Sequence, residues 1–182
     1  MKPEREDYLN KVTIGKPQEV NGKVVLAKYD KNWATIFENE KKIISALLPD
    51  AIIEHVGSTA VANLCAKPII DILLLVDDSS DEKSYLPKLK QADYYLRIRE
   101  ADWFEHRLFK KNGLQINLHV FSKDCLEAKQ MIAFRDILRN NQEAFTLYAN
   151  KKRELANRNW KYLQEYADAK SEVVKTILEN YK

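Results

Sequence analysis

The sequence gathers chemistry-bearing residues in one short stretch, His55-Val56-Gly57-Ser58-Thr59, followed by Lys67-Pro68-Ile69-Ile70-Asp71. A Gly-Ser turn after a buried strand exposes backbone N–H groups. A helix starting there points its positive end the same way, a combination suited to phosphate. Ser58 or Thr59 adds a hydroxyl donor, and Lys67 adds a point charge. Asp71 is the only charge in the apolar run from Pro68 to Val76. A buried carboxylate needs a partner or a metal. The same residues also have a purely structural reading, in which Ser58 or Thr59 caps the helix and Asp71 pairs with Lys67 or an arginine.

His55 and His119 line one pocket if their strands both border that of Asp71. There they contact phosphate, or His119 acts as a general base. The competing reading makes each a hydrogen-bonded structural histidine. Arg107 and Arg135 carry the planar fork that matches phosphate oxygens, or else they form salt bridges to acids such as Asp71, Glu54 or Asp136. Lys151-Lys152-Arg153 reads as a solvated helix face. Trp33, Trp103 and Trp160 read as packing residues, and Cys65 as a small buried side chain. Three histidines and two distant cysteines do not make a zinc site.

Further motifs give these residues a context. The strings His55-Val56-Gly57-Ser58-Thr59-Ala60-Val61 and Ala66-Lys67-Pro68-Ile69-Ile70-Asp71-Ile72-Leu73 stand with Tyr29-Asp30 and Trp33 upstream. Leu118-His119-Val120-Phe121 and Phe134-Arg135-Asp136-Ile137-Leu138-Arg139 follow, with Tyr148 and Lys170 later. In this order, over roughly residues 23–180, the chain resembles the GrpB family. The resemblance implies a nucleotidyltransferase-like fold. Such proteins set a Gly-Ser or Gly-Gly turn against a triphosphate. Paired carboxylates on the next strand hold two divalent metals, and a third carboxylate activates the attacking hydroxyl; a nucleoside monophosphate is transferred and pyrophosphate released. Gly57, Ser58 and Asp71 match that pattern. The partner of Asp71 is Leu73, on the same side of the strand, and the later strand offers Asn117 and His119 instead of an acid. The implied ligand set is one Mg²⁺ shared by Asp71 and the phosphates of a nucleoside triphosphate.

These residues need elements to hold them. Residues 1–22, broken by Pro3, Gly15, Pro17 and Gly22, read as a mobile lead-in or a short helix. Val24–Ala27 reads as a first strand. Asp30 then caps a helix with Trp33, Ile36, Phe37, Ile43, Ile44, Leu47 and Leu48 at helical spacing. Residues 51–56 form a strand, 60–66 a short helix, and 68–76 a strand buried on both faces. A surface helix spans 80–92 and a strand 94–99. Asn112-Gly113 joins strands 107–111 and 114–121 in a hairpin. Beyond Asp124 the pattern is helical. Asp124–Glu127 and Asn140–Glu143 resemble capping boxes, and Trp160, Leu163, Ala167, Val174, Ile177 and Tyr181 line one last helix. The expected fold is α+β: a mixed, twisted sheet with helices on one face and a C-terminal helical segment packed against it. Residues 23–182 form one domain, with an α/β part (23–121) and a helical part (122–182).

Composition limits the functions. At 182 residues with 45% hydrophobic content, the chain buries a core without disulfides. Two cysteines and no apolar run of spanning length suggest a cytoplasmic protein with free thiols and no membrane partner. A formal net charge of +3 does not demand a nucleic-acid partner. The leading expectation is a Mg²⁺-dependent, nucleotidyltransferase-like protein acting on a small-molecule acceptor. In it Gly57, Ser58, Thr59 and His55 border the phosphates and Asp71 holds the metal. Lys67, Arg107 and Arg135 neutralise charge, and His119 serves as base. The alternatives are a non-catalytic nucleotide-binding or sensor module that has lost the second carboxylate at Leu73, and a kinase-like or ligase use of ATP.

Overall fold

The computed structural model describes residues 3–181. The chain opens with α1 (Pro3–Val12), β1 (Glu19–Gly22), α2 (Asn32–Leu47) and β2 (Ile52–Val56), then a 3₁₀ turn at Ser58–Ala60. β3 (Ile70–Val76), α3 (Glu82–Gln91), β4 (Tyr94–Glu100), β5 (His106–Lys111) and β6 (Leu114–Ser122) complete the α/β part. α4 (Leu126–Asn140), α5 (Gln142–Ala156), β7 (Trp160–Tyr162), α6 (Leu163–Asp168) and α7 (Ser171–Asn180) follow.

β3 explains the architecture. Its run Ile-Asp-Ile-Leu-Leu-Leu-Val lies inside a five-stranded sheet of order β2-β3-β6-β5-β4, parallel to β6 and antiparallel to β2. Ile70, Ile72, Leu74 and Val76 pack on one face with Trp33, Phe37 and Ile44 of α2 and Tyr85 of α3. Leu73 and Leu75 point the other way, onto Val56, Phe121 and Ala128 of α4. A strand covered on both faces has no solvent side to populate with polar residues, hence the apolar run. The fold is therefore α+β with a mixed sheet, α2 and α3 on one face and the C-terminal helical segment against the other. Among the described residues no helix is long and apolar enough to cross a membrane.

Several local expectations are corrected. Val24–Ala27 is not a strand: Val25 is 79% exposed, Val24 donates to the Ala156 carbonyl at the end of α5, and Ala27 forms an isolated bridge with Ala66. The helix expected over 60–66 is absent, because the 3₁₀ turn ends at Ala60 and Asn63 adopts φ +65°, outside the helical region. Asp30 accepts from the Asn32 amide at 2.9 Å, although the helix proper begins at Asn32. The stretch expected as one last helix is β7, α6 and α7, since Trp160–Tyr162 is drawn into pairing with β1. Cys125 at the start of α4 makes no capping bond, while Asn141 caps α5 by accepting from the Ala144 amide at 3.0 Å. Within the expected lead-in, α1 buries Leu9 and Val12; Met1 and Lys2 lie outside the described residues.

Candidate functional site

A cavity of about 660 Å³ opens between the sheet face that carries Asp71, the helical part and α1. β2 ends at Val56, directly opposite Asp71 on β3. The chain then turns through Gly57 at φ +68°, a conformation that favours glycine. A Cβ there would lie 2.5 Å from Asp71 Oδ2, so glycine alone brings the backbone across that carboxylate. Ser58 hydrogen-bonds the Tyr148 side chain. Thr59 Oγ1 lies 3.0 Å from His55 Nε2.

The parallel register sets Asp71 beside Asn117 and Leu73 beside His119, so all four share the cavity face. Asn117 Nδ2 donates to Asp71 Oδ1 at 2.7 Å, and its carbonyl oxygen accepts from Lys110. His119 Nε2 lies 3.7 Å from the same carboxylate oxygen. Burial pushes the Asp71 pKa up, but the bonds from His119 and Asn117 and the Lys67 charge outweigh it and hold it at about 2. Asp71 is thus an ionised, oriented carboxylate.

Opposite it, three lysines gather around tyrosines. Lys67 and Lys170 Nζ stand 5.7 and 4.6 Å from the Tyr166 ring centre. Lys152 Nζ stands 5.4 Å from that of Tyr148 and donates to the Cys65 carbonyl at 2.7 Å. Burial lowers all three pKa values, and the Lys170 charge lowers those of its two neighbours further: to about 8 for Lys67 and Lys170, and about 7 for Lys152. The Tyr166 hydroxyl is buried with no hydrogen-bond partner among the described residues. Three crowded lysines that share the single Asp71 charge and form no salt bridge among the described residues, together with an unpartnered donor, suit a polyanion.

The other candidates fall elsewhere. His55 faces α2, stacked on Phe37 at 4.7 Å, and burial lowers its pKa to about 4; it belongs to the opposite face from Asp71 and steadies the turn through Thr59. Arg107 is buried between Glu82, 2.6 Å from its Nε, and Glu105, 3.0 Å from its Nη2. Arg135 ties α4 to β2 through Glu54 at 2.6 Å and the His55 carbonyl at 3.0 Å, and also holds Asp136. Neither arginine lines the cavity: each lies where strand or helix parity turns it toward an acid. Lys152, expected on a solvated face, is 2% exposed and lines the cavity. Trp103, exposed to solvent on one side, packs against His106 and Phe121 at the cavity rim.

Sequence reasoning missed His106 and Glu100. His106 stacks on His119 at 5.2 Å, with Nε2 3.1 Å from His119 Nδ1, and its Nδ1 lies 2.6 Å from Glu100 Oε2. Burial, partly offset by Glu100, lowers the His106 pKa to about 4. A register shift between Leu96 and Ile98 is what brings Glu100 here, since one extra residue turns later side chains to the other face. Leu96 accordingly packs toward α2 and α3, while Ile98 and Glu100 line the cavity. The Asn-Gly turn carried a usable signal: an ideal two-residue hairpin puts His106 opposite His119. The irregularity after Lys110 moves the partner to Leu108 but preserves the shared face.

Among the described residues no three His, Cys, Asp or Glu side chains gather to hold a metal. Leu73, where a second carboxylate would belong, is fully buried against α4. The donor set fits one divalent cation shared by Asp71 with ligand oxygens, and does not fit an all-protein two-metal site.

Comparison with known proteins agrees with the motifs. The family model described as GrpB protein matches residues 23–180. A UPF0157 protein of Halalkalibacterium halodurans is 49% identical over 97% of this chain and 91% of its own. The glutamate-rich protein GrpB of Alkalihalophilus pseudofirmus is 31% identical over 86% of this chain and 95% of its own. The crystal structure of the conserved protein GrpB from Enterococcus faecalis matches with a TM-score of 0.65 and 26% identity, over 84% of this chain and 98% of that one. The chain belongs to the GrpB family.

Proposed function

We propose that this GrpB-family chain is a nucleotidyltransferase-like protein. It binds a nucleoside triphosphate with Mg²⁺ in the cavity and passes the nucleoside monophosphate to a small-molecule acceptor. The observation that carries the reading is the convergence on one cavity of the Gly57–Ser58 turn, ionised Asp71, buried Lys152, half-buried Lys67 and Lys170, and the Tyr166 hydroxyl that has no partner among the described residues. Lys67, Lys152 and Lys170 neutralise the outer phosphates and the departing pyrophosphate. Asp71 would hold the Mg²⁺ ion, which would supply charge neutralisation at the phosphates. The acceptor hydroxyl meets the α-phosphorus beside His119, the candidate general base. α1 walls this end with Tyr8 and Leu9, which favours a compact acceptor over a polymer. The free thiols Cys65 and Cys125 accord with a cytoplasmic setting.

A second reading, nucleotide binding without transfer, is favoured by Leu73, whose place in the α4 interface leaves no room for a second metal carboxylate. A thermal-shift panel of ATP, GTP, CTP and UTP, with and without Mg²⁺, tests binding. Ligand at 100 times its Kd stabilises by about 2.7 kcal/mol. A Mg²⁺-dependent shift lost in Asp71→Asn supports the site, and no shift with any nucleotide refutes it. Pyrophosphate release on adding candidate acceptors then separates transfer from binding alone.

A further inference from the structure

The cavity has two chemically different ends. Among the described residues, the cations that line it lie toward one of them: Lys67, Lys152 and Lys170 around the tyrosines, Lys110 on Asn117, and Arg97, whose charge reaches Lys110 and whose guanidinium holds the Ile14 and Lys16 carbonyls. The other end, beyond the stacked His119 and His106, is walled by rings and carboxylates. Trp103 packs edge to face on His106 and Phe121, with ring centres at 5.3 and 5.8 Å, and keeps 38% of its surface exposed. Glu100 accepts from the Tyr8 hydroxyl at 2.6 Å, and its pKa stays low despite burial. Glu127 enters from the first turn of α4. It is half-buried and makes no hydrogen bond or salt bridge among the described residues; burial raises its pKa, and only the His119 charge opposes that rise. Lysines stand over Tyr94, Tyr148, Tyr162 and Tyr166, but among the described residues none stands over Trp103.

The turn that presents Trp103 is strained. Phe104 and Glu105 both adopt left-handed backbone, at φ +52° and +50°, a region that bulky residues seldom occupy. The Trp103 amide donates to the Glu100 carbonyl at 3.2 Å, and the His106 amide to the Trp103 carbonyl at 3.1 Å, so the strained turn folds the indole back over His106. An indole face attracts a cation through its quadrupole. A half-buried carboxylate without a partner gains from the same cation by charge.

We propose that Trp103 and Glu127 form a seat for an ammonium group, with the Glu100 charge behind it, and that the acceptor is a hydroxyl-bearing amine. The word acceptor rests on the transfer reading above; the ammonium seat does not. The polarity of the cavity then suits both molecules at once, with polyphosphate toward the lysines and a compact cation on the far side of His119. A neutral alcohol leaves Glu127 unpaired and an acid is repelled by it, so the seat sorts acceptors by charge.

NMR of the full chain labelled with ¹⁵N at tryptophan, with no nucleotide present, tests the seat with two matched pairs: glucosamine against glucose, and choline against its uncharged isostere 3,3-dimethylbutanol. Trp103→Leu identifies the Trp103 indole N–H resonance by its loss. The expected result is a saturable shift of that resonance with both cations and none with either neutral partner. Glu127→Gln, which keeps the shape and removes the charge, weakens both cations about tenfold, while Lys152→Met at the opposite end leaves them unchanged. Equal shifts by a cation and its neutral partner, a response indifferent to Glu127→Gln, or no shift with either cation overturns the proposal. In the pyrophosphate-release assay, amino alcohols exceed their neutral counterparts in kcat/KM; the reverse order overturns the acceptor assignment. The spectra need no nucleotide, so failure of nucleotide binding overturns the functional reading and leaves the seat intact.

Discussion

On the face covered by α2 and α3, buried cations meet carboxylates. Arg107 Nε lies 2.6 Å from Glu82, and Lys111 Nζ reaches both Glu40 oxygens at 2.7 and 2.8 Å, with the Tyr94 hydroxyl bonding the same acid. Across the sheet, Lys152 is buried and Lys67 and Lys170 are half-buried; burial lowers all three pKa values, and the Lys170 charge lowers those of Lys67 and Lys152 further. One face pairs its charges internally, and the other leaves three lysines without a salt bridge among the described residues, the feature on which the proposed polyanion site rests. A buried ion pair holds a structure only while both partners stand, whereas unpaired cations cost stability until an anion offsets them.

The largest expected effect is on the paired face. Glu82→Ala leaves buried Arg107 with the half-exposed Glu105 as its one remaining acid and also frees Arg99; it should cost about 3 kcal/mol, a Tm loss of roughly 6–12 °C, with nucleotide-induced stabilisation kept in the folded fraction. Next is Gly57→Ala, which forces a Cβ onto Asp71 at φ +68°; it should cost about 1–3 kcal/mol and abolish the nucleotide shift. Lys152→Met should leave Tm within roughly 3 °C of the parent, a change below about 1 kcal/mol, while removing most of the nucleotide shift. Equal Tm losses for Glu82→Ala and Lys152→Met would erase the contrast between the faces. The smallest effect is in pH dependence. Lys152 is lowered from 10.5 to about 7 in the folded state, so between those values the unfolded chain binds more protons. Stability of the free protein should therefore rise as pH increases from 7 to 10. Saturating tripolyphosphate should flatten that slope, as measured by chemical denaturation across the range.

The cavity face was more legible in the sequence than its chemistry. The Gly57-Ser58 turn, the lone Asp71 in an apolar strand and the placing of His119 on the same side follow from alternation and motif. Arg107 and His55 misled because residue type says nothing about strand face; each sits one residue out of phase with the cavity. Glu100 was hidden by the shift after Leu96, which no periodicity reveals. Lys152 was hidden because helical charge runs usually face water, and only the docking of α5 turns it inward; Lys170 was legible as a motif residue, but its place between α6 and α7, beside Tyr166, follows from no periodicity. Trp160–Tyr162 was hidden for a related reason, since its strand exists only by pairing with β1.

Titration calorimetry of the full chain with a nucleoside triphosphate and Mg²⁺, run beside the double variant Lys67→Met/Lys152→Met, tests the central claim most directly. The account predicts saturable binding to the unaltered protein and affinity weakened at least about a hundredfold in the variant, the loss of about 2.7 kcal/mol expected for two charge-assisted contacts, with the melting temperature of the free variant unchanged. Absence of binding to the unaltered protein, or equal affinity in the variant, would contradict it.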